Sequence, residues 1–220
     1  MTEAYLGDCM GAMAQMRDNE FDLAIVDPPY GIGNFSMETG GGISNPHTQK
    51  KVNYKSNIDW NNDIPTQKYF TELLRVSDKQ VIWGANYYNC FSGLGGALVW
   101  YKNTGHKNLS QCEIASLSFQ KKVDYLEHKK PNGFIKHIEY IHPCEKPIYL
   151  YKWLLKNYAK EGDSILDTHL GSGSSRIAAH DMGFDFTGYE IDKDYFDASV
   201  KRFDNHIRQG NLFQPKDMYQ

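Results

Sequence analysis

The chain combines short apolar runs with longer stretches of helical spacing. Six short runs predict buried strands: Phe21–Asp27, Gln80–Trp83, Ala97–Tyr101, Glu113–Phe119, Ser164–Asp167 and Asp185–Glu190. Five stretches with apolar residues three and four positions apart predict helices: residues 8–18, Pro65–Val76, Lys146–Ala159, 174–182 and Lys193–Arg208. Helices and strands alternate in the C-terminal third, which is typical of a parallel sheet covered by helices. The pattern therefore predicts an α/β fold.

Two segments lack this periodicity. Residues 31–64 are rich in Gly, Ser, Asn and Thr and are predicted to form a long loop. A loop of that length in a compact domain is usually functional or disordered. The last ten residues are predicted to form a loose tail. With 220 residues in all, the chain is expected to form a single domain, 1–220.

Composition excludes several classes of protein. The chain is 40% hydrophobic and 14% aromatic, enough to form a core, so wholesale disorder is excluded. It has no apolar run long enough to span a membrane, and its first residues are not expected to act as a signal peptide. Its four cysteines are scattered without a CxxC pair, which favours a reducing, cytoplasmic location and predicts no metal site.

The net charge of −3 conceals an uneven distribution. Residues 44–136 carry 13 Lys and Arg against 7 Asp and Glu, a balance of +6, whereas the rest carry 11 against 20, a balance of −9. A basic middle region in an acidic chain is compatible with a surface that faces a partner, and equally with an ordinary solvated face.

A glycine-rich turn follows one of the predicted strands. Asp167 ends the strand, Gly171 and Gly173 allow close backbone approach to a ligand, and the next helix presents free N–H groups. Arg176 occupies the third glycine position of the dinucleotide pattern G-x-G-x-x-G, which weakens the case for NAD. Glu190, at the end of the next strand, suits a ribose diol. The turn therefore predicts a nucleoside site, with a purely structural turn as the alternative.

The sequence Asp27-Pro28-Pro29-Tyr30 follows a buried strand, where ligands bind in open α/β sheets. A carboxylate accepts a hydrogen bond from an amino group, a rigid Pro-Pro turn fixes a backbone carbonyl as a second acceptor, and an aromatic ring stacks on a planar base. These groups suit an exocyclic amino group. The alternative is a strand that ends at a proline turn beside a surface tyrosine.

Three motifs together resemble the amino-methyltransferases of DNA: Asp27–Tyr30 (DPPY), His142–Pro147 (HPCEKP) and Leu166–Ser174 (LDTHLGSGS). Gly7-Asp8-Cys9 and Trp83–Tyr88 (WGANYY) are supporting matches. The order of the motifs resembles the circularly permuted β group, and Val99–Lys102 followed by Glu113-Ile-Ala resembles phage and prophage members. The resemblance covers most of residues 5–205.

The resemblance implies a Rossmann-like methyltransferase fold, circularly permuted in motif order, with a mostly parallel sheet and helices on both faces. It implies S-adenosyl-L-methionine as cofactor, duplex DNA with a flipped target base as partner, and dimerisation as a frequent state. Target recognition would occupy a small insertion within about 31–141. Nine lysines there are candidates for phosphate contacts: Lys50, Lys51, Lys55, Lys102, Lys107, Lys121, Lys122, Lys129 and Lys130.

The resemblance also assigns roles. The target base would be held by the DPPY residues: Asp27 and the Pro28 carbonyl bind the amino group, Pro29 stiffens the turn, and Tyr30 stacks. The cofactor would be bound by Asp8 and Cys9 beside its adenine, Glu190 on its ribose, and His142, Lys146, Asp167, Gly171, Ser172, Gly173 and Ser174 around its methionine end. His169 would lie in the same pocket.

The chain departs from the family pattern in two places. Thr168-His169 stand where Pro-Phe is usual, which puts the local pocket shape in doubt. Cys144-Glu145 stand where Thr-Gln is usual, and Cys144 is interpreted as a packing residue rather than a nucleophile.

Several functions remain open. DPPY rather than SPPY favours N6 of adenine over N4 of cytosine. RNA adenine methylation and glutamine-amide methylation use similar chemistry, although the latter family's motif resembles NPPY. An inactive cofactor- or DNA-binding subunit is the alternative from another class.

Overall fold

The structure is a computed structural model, and it describes residues 1–31, 63–88, 90, 93–102, 110–127, 141 and 145–212. These residues form eight strands: β1 (Thr2–Leu6), β2 (Phe21–Val26), β3 (Ser77–Trp83), β4 (Gly96–Tyr101), β5 (Cys112–Leu117), β6 (Val123–Glu127), β7 (Ser164–Asp167) and β8 (Asp185–Glu190). They also form six helices: α1 (Cys9–Met13), α2 (Gln67–Val76), α3 (Ala85–Tyr88), α4 (Ile148–Tyr158), α5 (Ser174–Met182) and α6 (Lys193–Leu212).

All eight strands form one sheet in the order β1-β8-β7-β2-β3-β5-β4-β6. The neighbouring strands are parallel except for β5, which runs antiparallel to both β3 and β4. The carboxyl ends of β2, β3, β4, β7 and β8 therefore lie at one edge of the sheet, together with the beginning of β5. Chemistry-bearing residues gather at this edge, as expected for open α/β sheets.

Helices cover both faces of the sheet, and strand β2 separates two hydrophobic cores. Leu23 and Ile25 point into one core, where α4 and α5 pack. Ala24 and Val26 point into the other, where α1 and α2 pack. Successive side chains of a strand face opposite ways, so a strand buried on both faces reads as a continuous apolar run. The predicted α/β fold, mostly parallel with helices on both faces, is confirmed. The permuted β group and the phage-like origin stay predictions.

The structure differs from the sequence predictions mainly in short elements. Strands β1 and β6 and helix α3 were not predicted, and both strands lie at the ends of the sheet, where half-exposed residues give no apolar run. Helix α1 is shorter than the predicted 8–18, and β3 begins three residues before the predicted Gln80 because it follows α2 directly. Helix α6 extends to Leu212, into the predicted tail, because no proline interrupts it.

The predicted 31–64 loop lies almost entirely outside the described residues. Much of the interval 31–141, where a small target-recognition insertion was expected, consists of sheet strands β3 to β6. None of the described helices is both long and apolar enough to cross a membrane.

Candidate active site

The DPPY residues follow β2 at the edge where the strands end. Tyr30 donates its hydroxyl proton to Asp27 Oδ1 at 2.6 Å, and Lys146 Nζ binds Asp27 Oδ2. The Tyr30 ring stacks on the ring of Tyr87, with centroids 4.8 Å apart and planes 15° from parallel. Gly84 makes room for it, since a Cβ there would lie 2.4 Å from Tyr30 Cε1. The motif thus presents a carboxylate beside a fixed aromatic ring.

Tyr88, on helix α3, holds the proline turn. Its hydroxyl contacts the Pro28 carbonyl oxygen and lies 2.9 Å from that of Pro29. A carbonyl oxygen has two lone pairs, so the Pro28 carbonyl can still accept a second hydrogen bond. In the sequence, WGANYY is only a supporting match, and Tyr88 had no predicted role.

Lys146 lies in a row of four charged side chains at this edge, which we call the charge row: Asp27, Lys146, Glu113 and Lys102. Lys146 Nζ is 3.2 Å from Glu113 Oε2, close enough for an ion pair although not aligned for a hydrogen bond. Lys102 Nζ donates to Glu113 Oε1 at 2.9 Å. The ammonium group of Lys146 thus lies between the two carboxylates, and its expected role at the cofactor's methionine end stays a prediction.

The reversed direction of β5 explains how Glu113 reaches this row. Glu113 lies near the beginning of β5 and is paired with Trp100 near the end of β4, and Lys102 follows β4. From the sequence, Lys102 was a candidate for a phosphate contact, whereas Glu113 had no predicted chemical role. A charged residue at the start of an otherwise apolar run was the available signal.

Burial and mutual attraction set the ionisation of the charge row. Burial raises the pKa of Asp27 although Lys146 opposes the rise. Burial also acts to raise the pKa of Glu113, but Lys146 and Lys102 outweigh it and the pKa is lowered. Burial would lower the pKa of Lys146, but Asp27 and Glu113 raise it well above its usual value. Lys146 therefore stays protonated, and it is the cation that keeps Asp27 ionisable in a buried position.

The glycine-rich turn lies between β7 and α5, next to β2 in the sheet. Gly171 and Gly173 have positive φ angles of 50° and 74°, which glycine adopts without strain. Glu190 Oε2 accepts the Gly171 N–H at 2.8 Å, and its Oε1 accepts the Asp192 N–H at 2.9 Å. Burial raises the pKa of Glu190. Glu190 thus fixes the turn from the neighbouring strand β8 and keeps lone pairs for further donors.

Asp167 is fully buried beneath the turn. Its Oδ1 accepts the His169 N–H at 3.0 Å, and its Oδ2 accepts the Ser175 hydroxyl at 2.6 Å. Burial raises the pKa of Asp167 to about 7. Among the described residues no cation pairs with it.

His169 occupies a packing position. Its Nδ1 lies 2.9 Å from the Thr168 hydroxyl, which in turn lies 2.6 Å from the Tyr69 hydroxyl. The His169 and Tyr69 rings meet edge to face at 5.4 Å. Burial lowers the pKa of His169 to about 4, so the ring is neutral at pH 7. It therefore fills the place of the usual phenylalanine with a neutral ring.

The remaining expected cofactor residues take different positions. Asp8 caps α1 by accepting the Met10 N–H at 2.9 Å, and Gly7 N–H donates to the Glu190 carbonyl oxygen at 2.8 Å, which brings this segment next to β8. Burial raises the pKa of Cys9 to about 12, so its thiol stays protonated. Ser172 and Ser174 are buried, with hydroxyl oxygens 3.0 Å apart. His142 lies outside the described residues.

The structure thus brings the predicted residues together in two adjacent groups. One holds Asp27, Pro28, Pro29, Tyr30 and Lys146, and the other holds Asp167, His169, Gly171, Ser172, Gly173, Ser174 and Glu190, with Asp8 and Cys9 beside it. The two groups follow β2 and β7, which are paired in parallel through Leu23–Ile165 and Ala24–Leu166. The DPPY residues and the glycine-rich turn therefore lie at the same edge of the sheet.

Comparison with solved structures supports the same fold. The M1.HpyAVI–SAM complex superposes with a TM-score of 0.60 at 18% identity, covering 92% of this chain and all of that one. The PvuII DNA methyltransferase, described as cytosine-N4-specific, superposes with a TM-score of 0.54 at 13% identity, covering 94% and 91% of the two chains. At these identities the likeness shows the fold alone.

Sequence relatives point to the same group of proteins. The type II methyltransferase M2.DpnII of Streptococcus pneumoniae is 28% identical over 182 residues, which cover 80% of this chain and 56% of that protein. The type II methyltransferase M2.LlaDCHI of Lactococcus lactis subsp. cremoris is 22% identical over 247 residues, which cover 92% and 89%. This chain therefore spans little more than half of the first relative and most of the second.

A family model described as DNA methylase, the N6/N4 methyltransferase model, matches residues 43–201. The match covers the glycine-rich turn, the HPCEKP segment and the charge row apart from Asp27, and it extends over well more than half of the chain. The chain belongs to the N6/N4 family of DNA methylases.

Proposed function

We propose that this protein transfers a methyl group from S-adenosyl-L-methionine to the exocyclic N6 of adenine in DNA. The observation that carries the proposal is the position of Asp27-Pro28-Pro29-Tyr30 beside the glycine-rich turn, on two strands that are paired in parallel. One group suits an aromatic amine and the other suits a nucleoside with a charged tail, so both reactants would meet at one edge.

The residues of the turn fit this cofactor. A buried Asp167 without a cationic partner among the described residues suits the positively charged methionine end, whose charge would lower the carboxyl pKa again. Glu190, whose oxygens accept only backbone N–H groups in the contacts described above, has lone pairs left for ribose hydroxyls. When bound, the cofactor supplies a methyl group on a sulfonium, which is a good leaving group, so no covalent enzyme intermediate is needed.

The DPPY residues would prepare the acceptor. An aromatic amino group delocalises its lone pair into the ring, and hydrogen bonds from its two N–H groups to Asp27 and to the Pro28 carbonyl favour a more tetrahedral nitrogen. Stacking of the base on Tyr30 would contribute about 1–3 kcal/mol. This contribution would offset part of the cost of flipping the base out of a duplex. Holding both reactants in line can supply roughly 7–11 kcal/mol of the barrier reduction.

The choice of adenine rests on the first residue of the motif. Aspartate rather than serine in the first position favours adenine N6 over cytosine N4. The proposal places target recognition within 31–141 in a single-domain chain, with duplex DNA as the partner. The family resemblance also leads us to expect a homodimer.

Labelled cofactor offered with duplex DNA, single-stranded DNA and RNA tests the proposal. After digestion, mass spectrometry of the nucleosides should find N6-methyladenine from DNA. N4-methylcytosine would reassign the base, label in RNA alone would reassign the polymer, and binding of cofactor without any transfer would indicate an inactive subunit.

Asp27→Ala tests the assigned roles within the site. It should abolish methyl transfer and leave cofactor affinity largely intact, because Asp27 lies on the β2 side of the pair. Asp78→Ala is a matched control, since Asp78 is exposed near the start of the neighbouring strand β3, at the opposite edge of the sheet. Equal loss of transfer and of cofactor binding in Asp27→Ala would contradict the assignment.

A further inference from the structure

We propose that Arg202 is a positioning residue that ties the glycine-rich turn to the segment carrying Lys146, and so couples cofactor binding to the geometry around Asp27. Arg202 lies in the middle of α6, outside every motif that the sequence revealed. The inference rests on the proposed function, because it assigns the turn to the cofactor.

The guanidinium of Arg202 bridges two segments that are far apart in sequence. Nη1 donates to the Ser172 carbonyl oxygen and to the Ser174 hydroxyl, both at 3.0 Å. Nη2 lies 2.7 Å from Glu145 Oε1. A planar fork with several fixed donors is suited to hold two acceptors at once, which a lysine ammonium does less well.

Helix α6 also supports the turn directly. Gly173 is so close to the helix that a Cβ there would lie 3.2 Å from Ser199 Cβ. Ser199 precedes Arg202 by three positions, so the two residues share one helix face. The turn therefore packs against α6 at Gly173 and accepts hydrogen bonds from it at Ser172 and Ser174.

At the other end, Glu145 connects Arg202 to the charge row. The Glu145 side chain is only 4% exposed, and its second oxygen accepts the Ile141 N–H at 3.3 Å. The next residue is Lys146, whose ammonium group lies between Asp27 and Glu113. The Arg202–Glu145 contact is therefore an ion pair with a buried carboxylate. Loss of Arg202 would leave the buried Glu145 carboxylate without its cationic partner, one position before Lys146 in the sequence.

The experiment compares Arg202→Met and Arg202→Lys with Arg208→Met, an exposed arginine on the same helix. Calorimetry with S-adenosylhomocysteine measures the affinity for the cofactor product without requiring methyl transfer. Arg202→Met should weaken binding about tenfold or more, since it removes charge-assisted hydrogen bonds to the turn. Arg202→Lys should fall between the wild type and Arg202→Met, and Arg208→Met should bind like the wild type.

Two further measurements separate positioning from simple stabilisation. In methylation assays with Arg202→Met, the KM for S-adenosyl-L-methionine should rise by a larger factor than kcat falls. The double variant Arg202→Met/Glu145→Gln should lose less affinity for S-adenosylhomocysteine than the product of the losses in the two single variants. Both substitutions remove the same contact. A folded Arg202→Met protein with lowered Tm but unchanged affinity and KM would overturn the proposal.

The outcome stays decisive if Arg202→Met fails to fold. Arg202→Lys then carries the test, because it retains the charge but does not reproduce the fork, and unchanged affinity in that variant would overturn the proposal. A wild-type protein that binds S-adenosylhomocysteine but methylates no nucleic acid would refute the proposed function, while the affinities of the Arg202 variants would still decide the role of Arg202. A wild-type protein that does not bind it would refute both.

Discussion

Lys146→Met would remove the cation that Asp27 shares with Glu113. Glu113 would keep Lys102 at 2.9 Å, so the loss falls mainly on Asp27, which would retain the Tyr30 hydroxyl at 2.6 Å. The Lys146 side chain is only 4% exposed, so water cannot readily take its place. Removing one partner of a buried ion pair costs about 3–5 kcal/mol. Because Tyr30 remains, we expect a loss near the lower end, about 3 kcal/mol of unfolding free energy at pH 8.

The loss should depend on pH with a defined sign. In the variant, the folded-state pKa of Asp27 would lie further above its unfolded value of about 3.9, because burial would still raise it and the opposing Lys146 cation would be gone. A folded carboxyl with a raised pKa binds a proton that the unfolded chain has already lost, so stability falls as pH rises through that window. The deficit relative to the wild type should therefore shrink as pH falls from 8 to 5.

Urea unfolding of both proteins at pH 5, 6, 7 and 8 measures this deficit. Lys152→Met is the matched control: Lys152 lies in α4, is 42% exposed and pairs with Asp181 at 2.6 Å. Its removal should cost less than about 1 kcal/mol. A Lys146→Met deficit no larger than that of the control, or one that is constant with pH, would refute the reasoning.

Two further predictions concern stability. Because burial lowers the pKa of His169 to about 4 against 6.5 for the unfolded side chain, the wild type should lose up to about 3 kcal/mol as pH falls from 6.5 to 4. His169→Phe should remove that loss, as measured by the unfolding free energy in urea at pH 4.5 and 7.5. An equal difference in unfolding free energy between the two pH values in wild type and variant would contradict the prediction. Gly96→Ala places a Cβ 2.2 Å from the Gln120 carbonyl oxygen, so β4 must shift and the change should cost about 1–3 kcal/mol by thermal unfolding. Gly93→Ala, with open space around it, is the control, and equal Tm values would refute the steric argument.

Elements with strong local signals were predicted closely. Strands β7 and β8 and helix α5 have the predicted bounds, because buried apolar runs and the turn at Gly171–Gly173 mark their ends in the sequence itself. Strands β1 and β6 escaped prediction for the opposite reason. Each lies at an end of the sheet and consists of half-buried and exposed residues without a buried apolar run, so its strand character comes from pairing with β8 or β4.

The site was predicted to the extent that its residues lie in contiguous motifs. Asp27 and Tyr30 follow β2, whereas Asp167 and Glu190 are the last residues of β7 and β8, and the sequence predicted a site role for all four from these positions. Glu113 and Arg202 could not be found in this way, because each acts through a residue distant in sequence: Glu113 through Lys146, and Arg202 through Ser172 and Glu145. Such pairings depend on the sheet order and on the reversed strand β5. Local spacing contains neither.

The charge row has a consequence at long range. Its two carboxylates would by themselves form a doubly negative patch where, under the proposed function, a polyanion approaches. Lys146 and Lys102 cancel that charge within a few ångströms, so beyond a Debye length of about 8 Å at physiological ionic strength the row contributes almost no field. The site can hold anionic groups for an amine without repelling a phosphate backbone. Any attraction that speeds the encounter with nucleic acid must therefore come from basic side chains outside the row.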